Sequence, residues 1–299
     1  MDPFSAEGEL INIHTAFVQG QYQSVLNDYN TSDFSDSNSL TCRILQYRAH
    51  CALGQYDEVI GSISASDSDN SPDLAAVKTY ASYLQNPSDA GASEAENLAE
   101  QHGQDNLSVQ ILCGVVLARA GKEDDALTLL QKHQGSLDAV ALIVQIHLMQ
   151  NRVDLALQAA KAARSFAQDA LLVNLAESWI GIRKGGEEYQ KAFYVFEELA
   201  QAPSSASATS LVAQAVSELH MGRVEEAETA LDQALATEPR NVEALANKLV
   251  LEVACGRDAA EARAKLESVD KGHEVLADLA AKREAFREAC KKYNPKFEP

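Results

Sequence analysis

The sequence predicts an all-α protein, a right-handed alpha-alpha superhelix of stacked helix pairs finished by a C-terminal capping helix. Three observations predict it. Ala, Leu, Glu and Gln recur throughout the 299 residues, whereas long runs of Val, Ile, Thr and aromatics are missing, and that composition favours helix over strand. The 7 prolines and 15 glycines fall mostly between helical stretches. A turn signal also returns along the chain at nearly constant spacing, the mark of a repeat protein.

The signal has a physical form. A Gly lies in the turn between a first helix, A, and a second, B. An aromatic or apolar residue follows two later, and a small residue three beyond that, where B packs closely on A. Gly20-Gln21-Tyr22 with Val25 fits, and Gly54-Gln55-Tyr56 with Val59 repeats it 34 residues on. Gly121 with Ala126, Asn151-Arg152-Val153 with Ala156, Gly222-Arg223-Val224 with Ala227, and Gly256 with Glu261 continue it less strictly. The turn is degenerate near Ala90 to Ala95, and near Gly185-Gly186-Glu187-Glu188-Tyr189 with Ala192 it carries extra residues. Turn positions 20, 54, 90, 121, 151, 187, 222 and 256 give steps of 34, 36, 31, 30, 36, 35 and 34. This is the period and pattern of the tetratricopeptide repeat, about 34 residues per unit.

The best single copy spans 208–241, with Gly222 at the turn, Ala227 at the close approach and Leu231 and Ala234 on the inner face of helix B. Pro239 then ends the copy, because its ring disfavours helix before it and cannot continue one. Asp138 before Ala139 and Asn241 before Val242 stand where a side chain can cap exposed amides. Residues 31–39 and 64–72, rich in Ser, Asp and Asn, read as surface loops. A charged amphipathic helix is expected from His273 to Tyr293, covering the last apolar face of the stack. The expected organisation is one domain, with a solenoid of about eight repeats over 1–270 and the capping helix and tail over 271–299.

Charge narrows the function. The formal net charge is −19, made of −14 over residues 1–150 (20 acidic, 6 basic) and −5 over 151–299 (24 acidic, 19 basic). Such a surface repels phosphate backbones and anionic headgroups, so neither nucleic acid nor unaided membrane binding is expected. Cys42, Cys51, Cys113, Cys255 and Cys290 form an odd, scattered set without a CxxC, which reads as reduced thiols buried as small hydrophobes. The opening residues lack a signal peptide's basic and apolar regions, and no stretch has the roughly 20 apolar residues of a membrane span. The protein is expected in the cytosol, reaching a membrane only through something else.

Apparent chemical motifs dissolve on inspection. Gly114 and Gly121-Lys122-Glu123 echo a phosphate loop, but the spacing is wrong and no Ser or Thr follows the lysine; Gly114 suits a close helix contact. Asp67, Asp69 and Ser71 open like a calcium loop, but Pro72 and Lys78 stand where Gly and Glu are needed. The seven histidines lie in separate repeats, and His50 and Cys51 point about 100° apart on one helix. No catalytic, cofactor or metal site is expected, and the chain is read as a non-enzyme without a small-molecule substrate.

The surface left to do the work is the inner wall formed by the A helices. Counting back from the turns places Leu10, Phe17, Ile44, Arg48, Ile111, Val115, Leu148, Leu175, Trp179, Val212, Val216 and Leu219 on it. A wall this apolar suits a permanent protein partner. Only Arg48, Arg119 and Arg183 come near it, which argues against a clamp for a peptide carboxylate.

The chain as a whole resembles the epsilon subunits of coatomer, the COPI vesicle coat. The resemblance is carried by Met1-Asp2-Pro3-Phe4-Ser5 with Glu9-Leu10, by Gly20-Gln21-Tyr22 and Gly54-Gln55-Tyr56, by the irregular middle repeats, and by Gly222 through Glu228, Glu238 through Asn241 and Lys292-Tyr293-Asn294-Pro295. It implies a structural coat subunit in retrograde Golgi-to-ER and intra-Golgi transport, cytoplasmic and peripheral on Golgi membranes and vesicles. It also implies a direct partner, the C-terminal domain of the alpha coat subunit, gripped in the groove, with other coat subunits met indirectly. The alternatives are a cytosolic co-chaperone or scaffold with the same repeats, which a basic groove would favour, and an enzyme with a repeat appendage.

Overall fold

The computed structural model describes residues 8–202 and 205–294; the opening Met1 to Ser5 and the closing Pro295 lie outside them. All regular structure among the described residues is helical, and the chain divides into two compact units between Ala206 and Ser207.

The first unit holds six helix pairs. In each, the earlier helix is A and the later B: α1 (Ile11–Val18) with α2 (Tyr22–Asn27), α3 (Asp36–Ala52) with α4 (Tyr56–Ser62), then, after the short α5 (Ala65–Asn70), α6 (Pro72–Gln85) with α7 (Asp89–His102). These are followed by α8 (Leu107–Arg119) with α9 (Glu123–Leu130), α10 (Leu137–Met149) with α11 (Val153–Arg164), and α12 (Leu171–Lys184) with α13 (Glu188–Gln201). The second unit pairs α14 (Ala208–His220) with α15 (Val224–Thr237) and α16 (Val242–Ala254) with α17 (Ala260–Val269), and ends in α18 (Glu274–Tyr293).

The A-to-B turns share one construction. Gly20, Gly54, Gly121, Gly222 and Gly256 have φ between 67° and 78°, and Asn151 replaces Gly at φ 59°. The left-handed residue lets the next N–H reach back to the carbonyl five residues earlier, at 2.7–2.9 Å in all six turns, as in Gln21 to Ala16 and Arg152 to His147. This satisfies a carbonyl that the end of the A helix would otherwise orphan. The small residues expected on B are buried: Val25, Val59, Ala126, Ala156, Ala192 and Ala227 are at most 1% exposed. Glu261 breaks the rule and is exposed, so α17 anchors through Leu266. Gly114 is a contact glycine, since a Cβ there would meet Leu130 at 3.1 Å.

Several local expectations are corrected. The connection near Ala90 lies inside α7; the chain turns earlier, at Asn86-Pro87, and Ser88 caps α7 by accepting from the Gly91 amide. Residues 64–72 are not wholly loop. Ser64 and Asp67 form a reciprocal capping box that starts α5, and Ser71 caps α6 with Pro72 at its first position. Both are strong helix-start signals. Within 31–39, Thr31–Asp33 makes a 3-10 turn and α3 has begun by Asp36. Asn241 caps α16 as expected, accepting from Ala244 at 2.9 Å. Asp138 does not cap α10. Ser136 does, which frees Asp138 for another task. Of the five cysteines, Cys42, Cys51 and Cys113 are buried, whereas Cys255 is exposed in the turn after α16 and Cys290 is half-exposed on α18.

Candidate partner-binding site

Position relative to the turn decides what each A-helix residue does. Ten residues before it stand Leu10, Ile44, Ile111, Leu175 and Val212, all between 0% and 8% exposed and built into the hydrophobic cores. All five were expected on the partner-facing wall; their side chains are instead spent on packing. A residue four later is one turn on and rotated by about 40°, enough to leave the seam between neighbouring helices. Six before the turn stand His14, Arg48, Val115, Gln145 and Trp179 in the first unit, and Val216 and Val250 in the second. Arg48, Val115, Trp179 and Val216 are partly exposed, and Val250 is 44% exposed. Three before the turn, Phe17, Leu148 and Leu219 are also partly exposed.

Three wall residues were missed. Tyr80 stands six before Asn86, the true turn of its pair, so the misplaced turn at 90 hid it. Its phenol is pushed up to about 12, by burial first, with Arg48 and Arg119 opposing. Val250 and the exposed Val253 lie 34 residues after Val216 and Leu219; carrying the register one repeat further finds both.

Within the first unit the row of A helices turns back on itself. His14 Nε2 on α1 lies 2.7 Å from Asp138 Oδ2 on α10, and Arg48 on α3 donates to Asp138 Oδ1 at 3.2 Å. The Arg48 guanidinium sits over the Phe17 ring, 4.5 Å from its centroid, and Phe17 meets Tyr22 edge-on at 5.5 Å. Asp138 is nearly sealed. Burial alone would raise its carboxyl, but the His14 hydrogen bond and the Arg48 charge together hold it down to about 2. So Phe17 and Arg48 are brought together, but as parts of an internal cluster joining residues 124 and 90 apart in sequence. Beside it a cavity of about 560 Å³ opens between α1 and the α11–α12 connection, lined by Ile11, Thr15, Val18, Leu137, Phe166 and Leu171.

Nothing in this wall is arranged for bond-making chemistry. The buried thiols of Cys51 and Cys113 are both pushed up to about 12 by burial, which leaves them protonated and inert. His50 is tied to Gln55 at 2.7 Å. Asp67 and Ser71, once candidates for a calcium loop, are used as helix caps. No described helix is long and apolar enough to cross a membrane. The wall offers apolar area around a fixed polar cluster.

Comparison with known proteins agrees with this architecture. The profile of the coatomer epsilon subunit family matches residues 6–294. The chain is 34% identical over 256 residues to the probable coatomer subunit epsilon of Schizosaccharomyces pombe, covering 85% of this chain and 84% of that one. It is 28% identical over 301 residues to coatomer subunit epsilon-1 of Arabidopsis thaliana, covering 98% and 100%. Among solved structures, a chain of the APC/C hetero-tetramer Cut9-Hcn1 superposes with a TM-score of 0.57 at 14% identity, over 90% of this chain and 53% of that chain. At that identity the likeness speaks for the fold alone, which is all-α and tetratricopeptide-like.

Proposed function

Since the chain belongs to the coatomer epsilon subunit family, a family of non-enzymatic coat subunits, we propose that it acts in the COPI coat by holding the alpha coat subunit's C-terminal domain against its A-helix wall. The observation that carries this reading is the row of partly exposed apolar side chains at fixed places before successive turns, Val115, Leu148 and Trp179 on α8, α10 and α12. His14 and Arg48 on the same wall are committed internally to Asp138. Burying three such side chains against a partner contributes about 1.5–3 kcal/mol each when complete, enough for a lasting contact without a single specific bond. Val216, Val250 and Val253 offer the same kind of surface on the second unit. In this reading the protein works in retrograde Golgi-to-ER and intra-Golgi transport, cytoplasmic or peripheral on Golgi membranes, and reaches those membranes only through the assembled coat.

The test is co-purification with the alpha subunit's C-terminal domain in high salt. Near-equal recovery is expected, since apolar burial survives screening. Val115→Asp and Trp179→Ala should each abolish recovery while helicity stays unchanged. Undiminished recovery with both variants would refute the wall as the site, and recovery of chaperones in place of the coat subunit would refute the assignment.

A further inference from the structure

The last helix does two different things along its length. Its first turns pack the partly buried Val275, Leu276 and Leu279 against the cluster of Leu245, Leu249 and Leu266. The same stripe then runs on past any support. Phe286 and Tyr293 follow Leu279 at intervals of seven residues, with Cys290 between them, so all lie on one helix face. Phe286 is 71% exposed and Tyr293 72%. They are the two most exposed large apolar side chains among the described residues.

Around this stripe the charge is unusual for this chain: Arg283 lies within it, Lys282 and Arg287 stand on either side, and Glu288, Lys291 and Lys292 fall on the far side of the helix. Residues 282–293 carry Lys282, Arg283, Arg287, Lys291 and Lys292 against Glu284 and Glu288, a local +3 in a protein of net −19. Lys282 and Arg287 pair within the helix, with Asp278 at 3.6 Å and Glu284 at 3.3 Å. Arg283, Lys291 and Lys292 have no carboxylate partner among the described residues, and Lys292 rests over the Tyr293 ring at 5.2 Å. Lysines at 291 and 292 suit a helix C-terminus, but that does not account for Arg283 or for two exposed aromatic rings.

We propose that the second half of α18 is a docking seam for an acidic amphipathic helix of another coat subunit. The partner lays its apolar residues along Phe286, Cys290 and Tyr293 and sets carboxylates against Lys282, Arg283 and Arg287. The inference rests on the reading of the chain as a coat subunit. A heptad-spaced stripe one residue wide fits a helix–helix seam, whereas an interfacial membrane helix needs a broad apolar face, and the chain's overall charge repels anionic lipid. A second copy of α18 packed antiparallel would bring like charges together.

Cys290 supplies the probe. With Cys255→Ser in place, the rate of Cys290 alkylation is measured in the isolated chain and in a coat complex assembled from recombinant subunits. A slowing of tenfold or more on assembly is expected. A photo-crosslinker on Cys290 should join a partner helix with excess Asp and Glu. Arg283→Glu with Arg287→Glu should restore the free-chain rate while the chain stays in the complex. An unchanged rate in a complex that contains the chain overturns the seam and leaves the coat reading standing. So does a cross-link to a second copy, or protection of the isolated chain by phosphatidylserine vesicles. A chain that never enters the complex overturns both.

Discussion

Removing the Asp138 carboxylate should unseat the first unit, and the size of the effect follows from the geometry. Asp138 is 8% exposed and bonds His14 and Arg48, whose side chains are themselves 11% and 16% exposed. Asp138→Ala leaves the Arg48 cation largely out of water, stacked on the Phe17 ring but without its carboxylate. Breaking one side of such a buried pair costs about 3–5 kcal/mol. At roughly 2–4 °C per kcal/mol for a unit of this size, the melting temperature should fall by about 6–20 °C. The assay is ready-made, because the single tryptophan, Trp179, lies in the first unit and reports its unfolding by fluorescence. Acid offers a second reading of the same group. Its folded pKa lies near 2, below the ordinary 3.8. The carboxylate's contribution is therefore complete above about pH 4 and is lost as pH falls toward 2, amounting to about 2 kcal/mol. Asp138→Asn should flatten that part of the stability profile. Replacing the cluster with His14→Leu, Arg48→Met and Asp138→Leu together should recover most of the loss, since well-packed apolar side chains often equal a buried ion pair. A loss below about 1 kcal/mol for Asp138→Ala, or the same acid limb in wild type and Asp138→Asn, would refute the reasoning.

Other consequences can be checked alongside. Gly222→Ala should cost about 1–2 kcal/mol in urea unfolding from backbone strain alone, because φ is +77° and nothing lies within 4 Å of an added Cβ. Gly114→Val should cost about 1–3 kcal/mol by overpacking, because Leu130 stands at 3.1 Å. At pH 8 a thiol reagent should modify Cys255 and Cys290 in the native protein. Cys42, pushed up by burial to about 11, should react only after unfolding, together with Cys51 and Cys113. Modification of a third thiol in the native state would count against the packing described.

Much of the fold was legible because its punctuation is local. A left-handed turn that returns an N–H across five residues needs Gly, or Asn at some cost, so Gly20, Gly54, Gly121, Asn151, Gly222 and Gly256 announced themselves. The α6–α7 connection was misplaced because it uses other means. Pro87 holds Asn86 extended and Ser88 caps the next helix, so no glycine marks it, and Tyr80 was lost with the register. The Ser64–Asp67 capping box was readable, but a polar composition spoke for loop and the three-residue spacing was overlooked. Asp138 was a different kind of miss. A carboxylate in the first turn of a helix looks like a cap, and nothing local reveals partners 90 and 124 residues away. The candidate wall was half legible for a geometric reason, since apolar residues stand ten before the turn and, at Val115, Trp179, Val216 and Val250, also six before it. Which of them the stack buries depends on how neighbouring helix pairs lean together.

That leaning also bears on what the wall can hold. A groove that captures a peptide carboxylate needs cations free to meet it, and the wall has three arginines to offer. Arg48 is committed to Asp138 and stacked on Phe17, and Arg183 donates to Asn151 Oδ1 at 3.0 Å. Arg119 alone remains exposed without a hydrogen bond of that kind. To bind an incoming carboxylate, Arg48 would have to leave an acid whose burial makes its loss costly, so the exchange runs uphill. The cluster therefore works against a clamp for acidic chain ends, while the apolar positions beside it stay available. A partner suited to this wall brings apolar side chains to Val115, Leu148 and Trp179 and makes no demand on the arginines.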